Sequence, residues 1–98
     1  MNLETEVALI EAILYLEAEP VDLRSLQRIS GLPREVVLDA LTQLRETLSS
    51  PEHGLALAEI ADGYTLTTKD ELAPALRDRY GRRNDAKLSR AAMETLSI

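Results

Sequence analysis

DLRSLQRISGLPREVVLDALTQLRETL, Asp22 to Leu48, contains two helices and the turn between them. Asp22 is placed to cap the first helix, because its carboxylate can accept the unpaired N–H groups of the opening turn. Val21, just outside, can staple onto Leu26 inside. Leu23, Leu26 and Ile29 make a short apolar face. Gly31 suits the left-handed residue that ends a helix, and Pro33 suits the start of the next. The second helix runs to about Leu48 with Val37, Ala40, Leu41, Leu44 and Leu48 on one face. Two helices joined by a short turn containing Gly predict a helix-turn-helix.

Upstream, a helix is expected from about Leu3 to Ala18. Leu3, Val7, Ile10 and Leu14 recur at helical spacing along one face. Leu9, Ile13 and Leu16 form a second apolar line. At about 100° per residue the two lines make an apolar arc of about half the circumference. A three-helix core needs only the first line, so Leu9, Ile13 and Leu16 are the candidate interface residues. Glu19-Pro20 ends the helix, since the residue before Pro is pushed out of the helical region.

Downstream, Ser49 to Gly54 is a loop by composition. LALAEIADGYTLTT then reads as a hairpin around Asp62-Gly63. Face alternation favours a three-residue loop, Ala61-Asp62-Gly63, with Gly63 left-handed. That pairs Ile60 with Tyr64 and Ala58 with Leu66, and leaves Glu59 and Thr65 facing water. Thr68-x-x-Glu71 is a capping box for a fourth helix lined by Leu72, Leu76 and Tyr80. Pro74 in its opening turns predicts a distorted or late start.

The fold class is therefore mostly α with a small β-hairpin, a winged helix-turn-helix in the order helix, helix, helix, hairpin, helix. Residues 1–80 form this domain and 81–87 a charged linker. In residues 88–98, LSRAAMETLSI, Ser89 is an N-cap and Leu88 can staple onto Met93. An isolated helix of about ten residues is marginal in water. This segment is thus expected to open a second winged helix that continues beyond Ile98.

The 98 residues suffice for one core, and with neither Phe nor Trp it must be aliphatic. There is no Cys, hence no disulfide, thiolate metal site or cysteine nucleophile. The acidic N-terminus is unlike a signal peptide, and no apolar run approaches the roughly 18 residues of a membrane span. These features predict a cytoplasmic protein. The net charge of −6 is uneven. Residues 1–20 carry Glu4, Glu6, Glu11, Glu17 and Glu19 with no Lys or Arg, whereas residues 81–98 carry Arg82, Arg83, Lys87 and Arg90.

No phosphate loop, nucleophile elbow or metal-ligand spacing is present. His53, the single histidine, sits in a loop beside Gly54 with no second His or Cys to share a metal. No catalytic, cofactor or metal residue and no small-molecule substrate is expected, and the chain does not read as an enzyme. A DNA-binding winged-helix regulator is the alternative, in which the helix from Pro33 to Leu48 would enter the major groove. Its solvent face projects as Glu35, Asp39, Thr42 and Glu46. Three carboxylates facing a polyanion repel it, so specific nucleic-acid binding is not expected.

Three stretches, VALIEAILYLEAEPVDLRSLQRISGLPREVVLDALTQL, GLALAEIADGYTLTTKDELAPAL and LSRAAMETLSI, together resemble the bacterial segregation and condensation protein B family. Leu88 to Leu96 carries its most specific motif. The resemblance implies a non-enzymatic subunit of the SMC–kleisin complex that condenses and segregates the chromosome. It implies a homodimer formed largely through the N-terminal domain. It also implies a kleisin partner held mainly by the C-terminal domain, with the SMC ATPase reached through the kleisin. Localisation would be cytoplasmic, at the nucleoid through the complex.

Overall fold

The computed structural model describes residues 3–80; the linker and the second-domain motif expected over 81–98 lie outside the described residues. The chain divides into two compact units, residues 1–66 and 67–98.

In the first unit, α1 spans Glu4–Leu16, α2 Leu23–Ser30 and α3 Arg34–Leu48. The hairpin pairs β1, Leu55–Ile60, with β2, Gly63–Thr68. Local chemistry sets the ends of α2 and the start of α3 as the sequence predicts, whereas α1 stops at Leu16, with Glu17 already extended, before the expected Glu19-Pro20. The Asp22 carboxylate accepts the Ser25 backbone N–H at 2.7 Å. Gly31 closes α2 with a φ of 74°, where a Cβ would be strained. Pro33 precedes α3 in extended backbone.

The core lies between the three helices and one face of the wing. Ile10, Leu26, Val37 and Leu44 are its fully buried large side chains. Ile13, Leu14, Val21, Ala40, Leu41, Leu48 and Leu57 complete it, with Val7, Leu23, Leu32, Tyr64 and Leu66 packed against it. Val21 also makes an antiparallel bridge to Tyr64, with reciprocal N–H···O bonds of 2.9 and 2.8 Å. The segment before α2 therefore adds a rung to the hairpin. Ile29 is a correction: its side chain is exposed rather than part of the core face of α2.

The wing corrects the expected loop. Only Ala61 and Asp62 lie between the strands, and both have positive φ, 52° and 62°. That is the backbone of a two-residue turn whose twist matches the strands. Gly63 is instead the first residue of β2, and its need for Gly is packing. A Cβ there would lie 3.0 Å from Pro20, as close to its backbone carbon as to its side chain. The shorter loop sets Leu57 opposite Leu66, so Leu57 enters the core and Ala58 turns away. Glu59 stays exposed as expected, and its carboxylate reaches Arg45 of α3 at 3.3 Å. Thr65, expected in water, is buried, and no buried side-chain polar atom among the described residues lacks a partner.

In the second unit a 3₁₀ turn, Asp70–Leu72, leads into α4, Ala73–Tyr80. The turn begins at Lys69 with no side-chain cap, so the capping box expected at Thr68 is not what starts it. Pro74 lacks the N–H that an earlier α-helical start would use, consistent with the expected late start. No α4 side chain is buried.

Candidate protein-interaction surface

The outer faces of α1 and α3 are both turned to solvent, and their chemistry differs. On α3, Glu35, Asp39, Thr42 and Glu46 are all exposed, as the projection predicts. The Thr42 hydroxyl donates to the Leu38 carbonyl at 3.0 Å, so it is turned back onto its own helix. Arg45 on the flank is engaged by Glu59 across the wing. What the middle of this α3 face offers outward is a row of carboxylates, Glu35, Asp39 and Glu46, with Gln43 and Arg34 exposed on its flanks.

On α1 the exposed residues beyond Glu4 at its start are Thr5, Ala8, Leu9, Ala12, Tyr15 and Leu16. Projected at about 100° per residue, they span an arc of about 120° that holds no charge. Tyr15 and Leu16 are each 78% exposed and Leu9 is 39% exposed. Ala8 and Ala12, one turn apart, form a low strip between the Leu9–Leu16 line and Tyr15. Glu4 and Glu11 border the arc on the Tyr15 side, and exposed Glu17 follows the helix.

The candidate interface line therefore divides. Leu9 and Leu16 are on the surface, whereas Ile13 is 7% exposed and belongs to the core cluster. Packing against both α2 and α3 rotates α1 so that Ile13 joins Ile10 and Leu14 inside. Ala8, Ala12 and Tyr15 replace it on the outer arc. The signal that could have found them is the absence of charge among these positions.

Asp22 is the described group whose acidity clearly departs from the ordinary value. The Ser25 backbone N–H, its hydroxyl, and the nearby Arg28 and Arg24 hold its carboxyl below the usual range. This is what helix capping does to a carboxylate, and it marks no catalytic chemistry. Among the described residues no group of His, Asp or Glu is placed to hold a metal ion, and no helix is long and apolar enough to cross a membrane.

Comparison with known proteins agrees with this architecture. The family model for segregation and condensation complex subunit ScpB matches residues 8–98. Segregation and condensation protein B of Halalkalibacterium halodurans is 37% identical over 100% of this chain and 50% of its own length. The Streptococcus sanguinis protein of that name is 38% identical over 96% of this chain and 51% of its own. The chain thus spans about half the length of these curated relatives. A crystal structure of the dimer of an ScpB N-terminal domain complexed with ScpA peptide superposes with a TM-score of 0.74 at 25% identity. The match covers 80% of this chain and 92% of that one. With a family model spanning nearly all of its length and a winged-helix neighbour of the same family, this chain belongs to the segregation and condensation complex subunit ScpB family.

Proposed function

We propose that this chain is a non-catalytic subunit of the bacterial SMC–kleisin complex for chromosome condensation and segregation, working as a dimerising protein-interaction module. The reading rests on the likeness to the ScpB N-terminal domain that forms a dimer with ScpA peptide bound. That neighbour binds a kleisin peptide through an N-terminal domain, so residues 3–80 are assigned kleisin contact as well as dimerisation. The acidic face of α3 and the uncharged outer arc of α1 favour protein over nucleic acid as the partner. The DNA-binding regulator gains support from neither face. On the same reading, residues 81–87 link to a second winged helix that includes 88–98. The protein works in the cytoplasm and meets the nucleoid through the complex.

Light scattering should give twice the 10.9 kDa chain mass, and calorimetry should show saturable binding of an ScpA kleisin peptide. A monomer that melts cooperatively yet ignores the peptide would overturn the proposal.

A further inference from the structure

Resting on the kleisin-peptide reading above, we propose that the outer edge of β1 takes the peptide as an added antiparallel strand. The two-residue turn at Ala61-Asp62 sets Ile60 against Gly63. Facing residues of an antiparallel pair alternate between hydrogen-bonded and non-hydrogen-bonded. Ile60, Ala58 and Ala56 therefore direct their N–H and C=O groups to β2, while Leu55, Leu57 and Glu59 aim theirs away from it. The same alternation shows on β2, where Tyr64, opposite Glu59, turns outward and exchanges both bonds with Val21. The outward groups of Leu55, Leu57 and Glu59 have no such backbone partner among the described residues.

What complements such an edge is another extended backbone. A helix has its own N–H and C=O groups paired and cannot supply the missing bonds. β1 also lacks the residues that commonly blunt an exposed edge, since LALAEI holds neither Lys nor Pro. Side chains set the register. Residues of the added strand opposite Leu55 and Leu57 share their face, and Leu55 is partly exposed there, so apolar residues fit. Glu59 meets Arg45 at 3.3 Å, yet its side chain stays 61% exposed, so a basic residue fits opposite it. The segment thus reads basic-x-apolar-x-apolar from its N-terminal end. A second β1 placed antiparallel about Leu57 would instead set each Glu59 against the Leu55 of the other copy, a poorer match than the peptide.

Calorimetry of an ScpA kleisin peptide with the complete chain tests this. Leu55→Pro removes one outward N–H and no bond of the hairpin, at the first position of a strand, where Pro is tolerated. The melting transition should persist while the peptide Kd rises about tenfold, as for one lost hydrogen bond. Glu59→Gln should raise it about two- to fivefold. The unaltered chain gives a readout that does not depend on these variants. Peptides N-methylated at single positions should lose binding at the alternate residues that face Leu55, Leu57 and Glu59, and keep it at the residues between. If the peptide binds but methylation shows no alternation, or if both variants bind it as well as the unaltered chain does, the edge is wrong and the kleisin reading stands. If Leu55→Pro stays folded but light scattering shows that it has lost its dimer, a second copy occupies the edge and the proposal falls. If the unaltered chain ignores the peptide, the kleisin reading itself fails and the edge proposal goes with it.

Discussion

α1 and α3 share one core and turn opposite chemistries outward. Ile10 of α1 and Leu44 of α3 are buried in the same cluster. Yet the outer face of α3 is a row of carboxylates and that of α1 is free of charge over about a third of its circumference. In a DNA-reading winged helix the second helix of the pair carries the function. Here its surface is the wrong sign for that task, and the first helix has the surface that a partner would cover. A helix-turn-helix scaffold does not by itself fix which helix carries the function, because function resides in a site grafted on a fold.

The comparison breaks most completely where the two helices meet. Ile10→Ala or Leu44→Ala each empties a fully buried position and should cost about 2–5 kcal/mol. That is a large share of the roughly 5–15 kcal/mol that holds a domain together. Urea titration followed by circular dichroism should show the loss for both variants alike, with both outer faces disappearing in one transition. Leu9→Ala, on the exposed arc, should move the midpoint far less. Equal losses at Leu9 and Ile10 would mean that the arc is core.

The next effect isolates α3. Glu35→Arg, Asp39→Arg and Glu46→Arg together raise the formal net charge from −6 to zero and place three cations where the carboxylates stood. Fluorescence anisotropy with a short duplex at physiological salt should then detect nonspecific binding, about 10⁻⁴–10⁻⁶ M. The unaltered chain should show none in that range. Submicromolar binding by the unaltered chain would remove the contrast between the faces.

The wing shows where sequence reasoning stops. The caps at Asp22, Gly31 and Pro33 and the inner faces of α1 and α3 are legible because each depends on a few neighbouring residues. The loop depends on tertiary context. Alternation alone favours a three-residue loop, since it keeps Glu59 off the apolar face. The structure tolerates Glu59 beside Leu57 because Arg45, fourteen positions earlier, meets its carboxylate at the edge. Likewise Ile13 is assigned to the core only once α2 and α3 fix the rotation of α1. The chosen turn leaves Ala61 left-handed, a conformation that disfavours a Cβ. Ala61→Gly should therefore raise stability by about 0.5–1 kcal/mol in thermal or urea melts. A loss on that substitution would point back to the longer loop.

The smallest expected effect concerns what borders the α1 face rather than what fills it. Glu11 lies beside the outer arc and Glu17 follows the helix. Two copies meeting on α1 bring these carboxylates of one chain toward those of the other, and neither helix supplies a cation. At low ionic strength this repulsion opposes the apolar contact. The screening length falls from about 10 Å at 0.1 M salt to about 3 Å at 1 M, so the repulsion fades as salt is added. The hydrophobic contact does not weaken in compensation. Sedimentation equilibrium across that range should show the dimer tightening by a few-fold. A contact between α1 and a basic helix would loosen instead, and charge on α3 would have no part in either trend. Glu11→Gln should flatten the salt dependence of the dimer, while Asp39→Asn on α3 should leave it unchanged. If the Asp39 variant flattens it and the Glu11 variant does not, the copies meet on α3 and the assignment of the two faces is reversed.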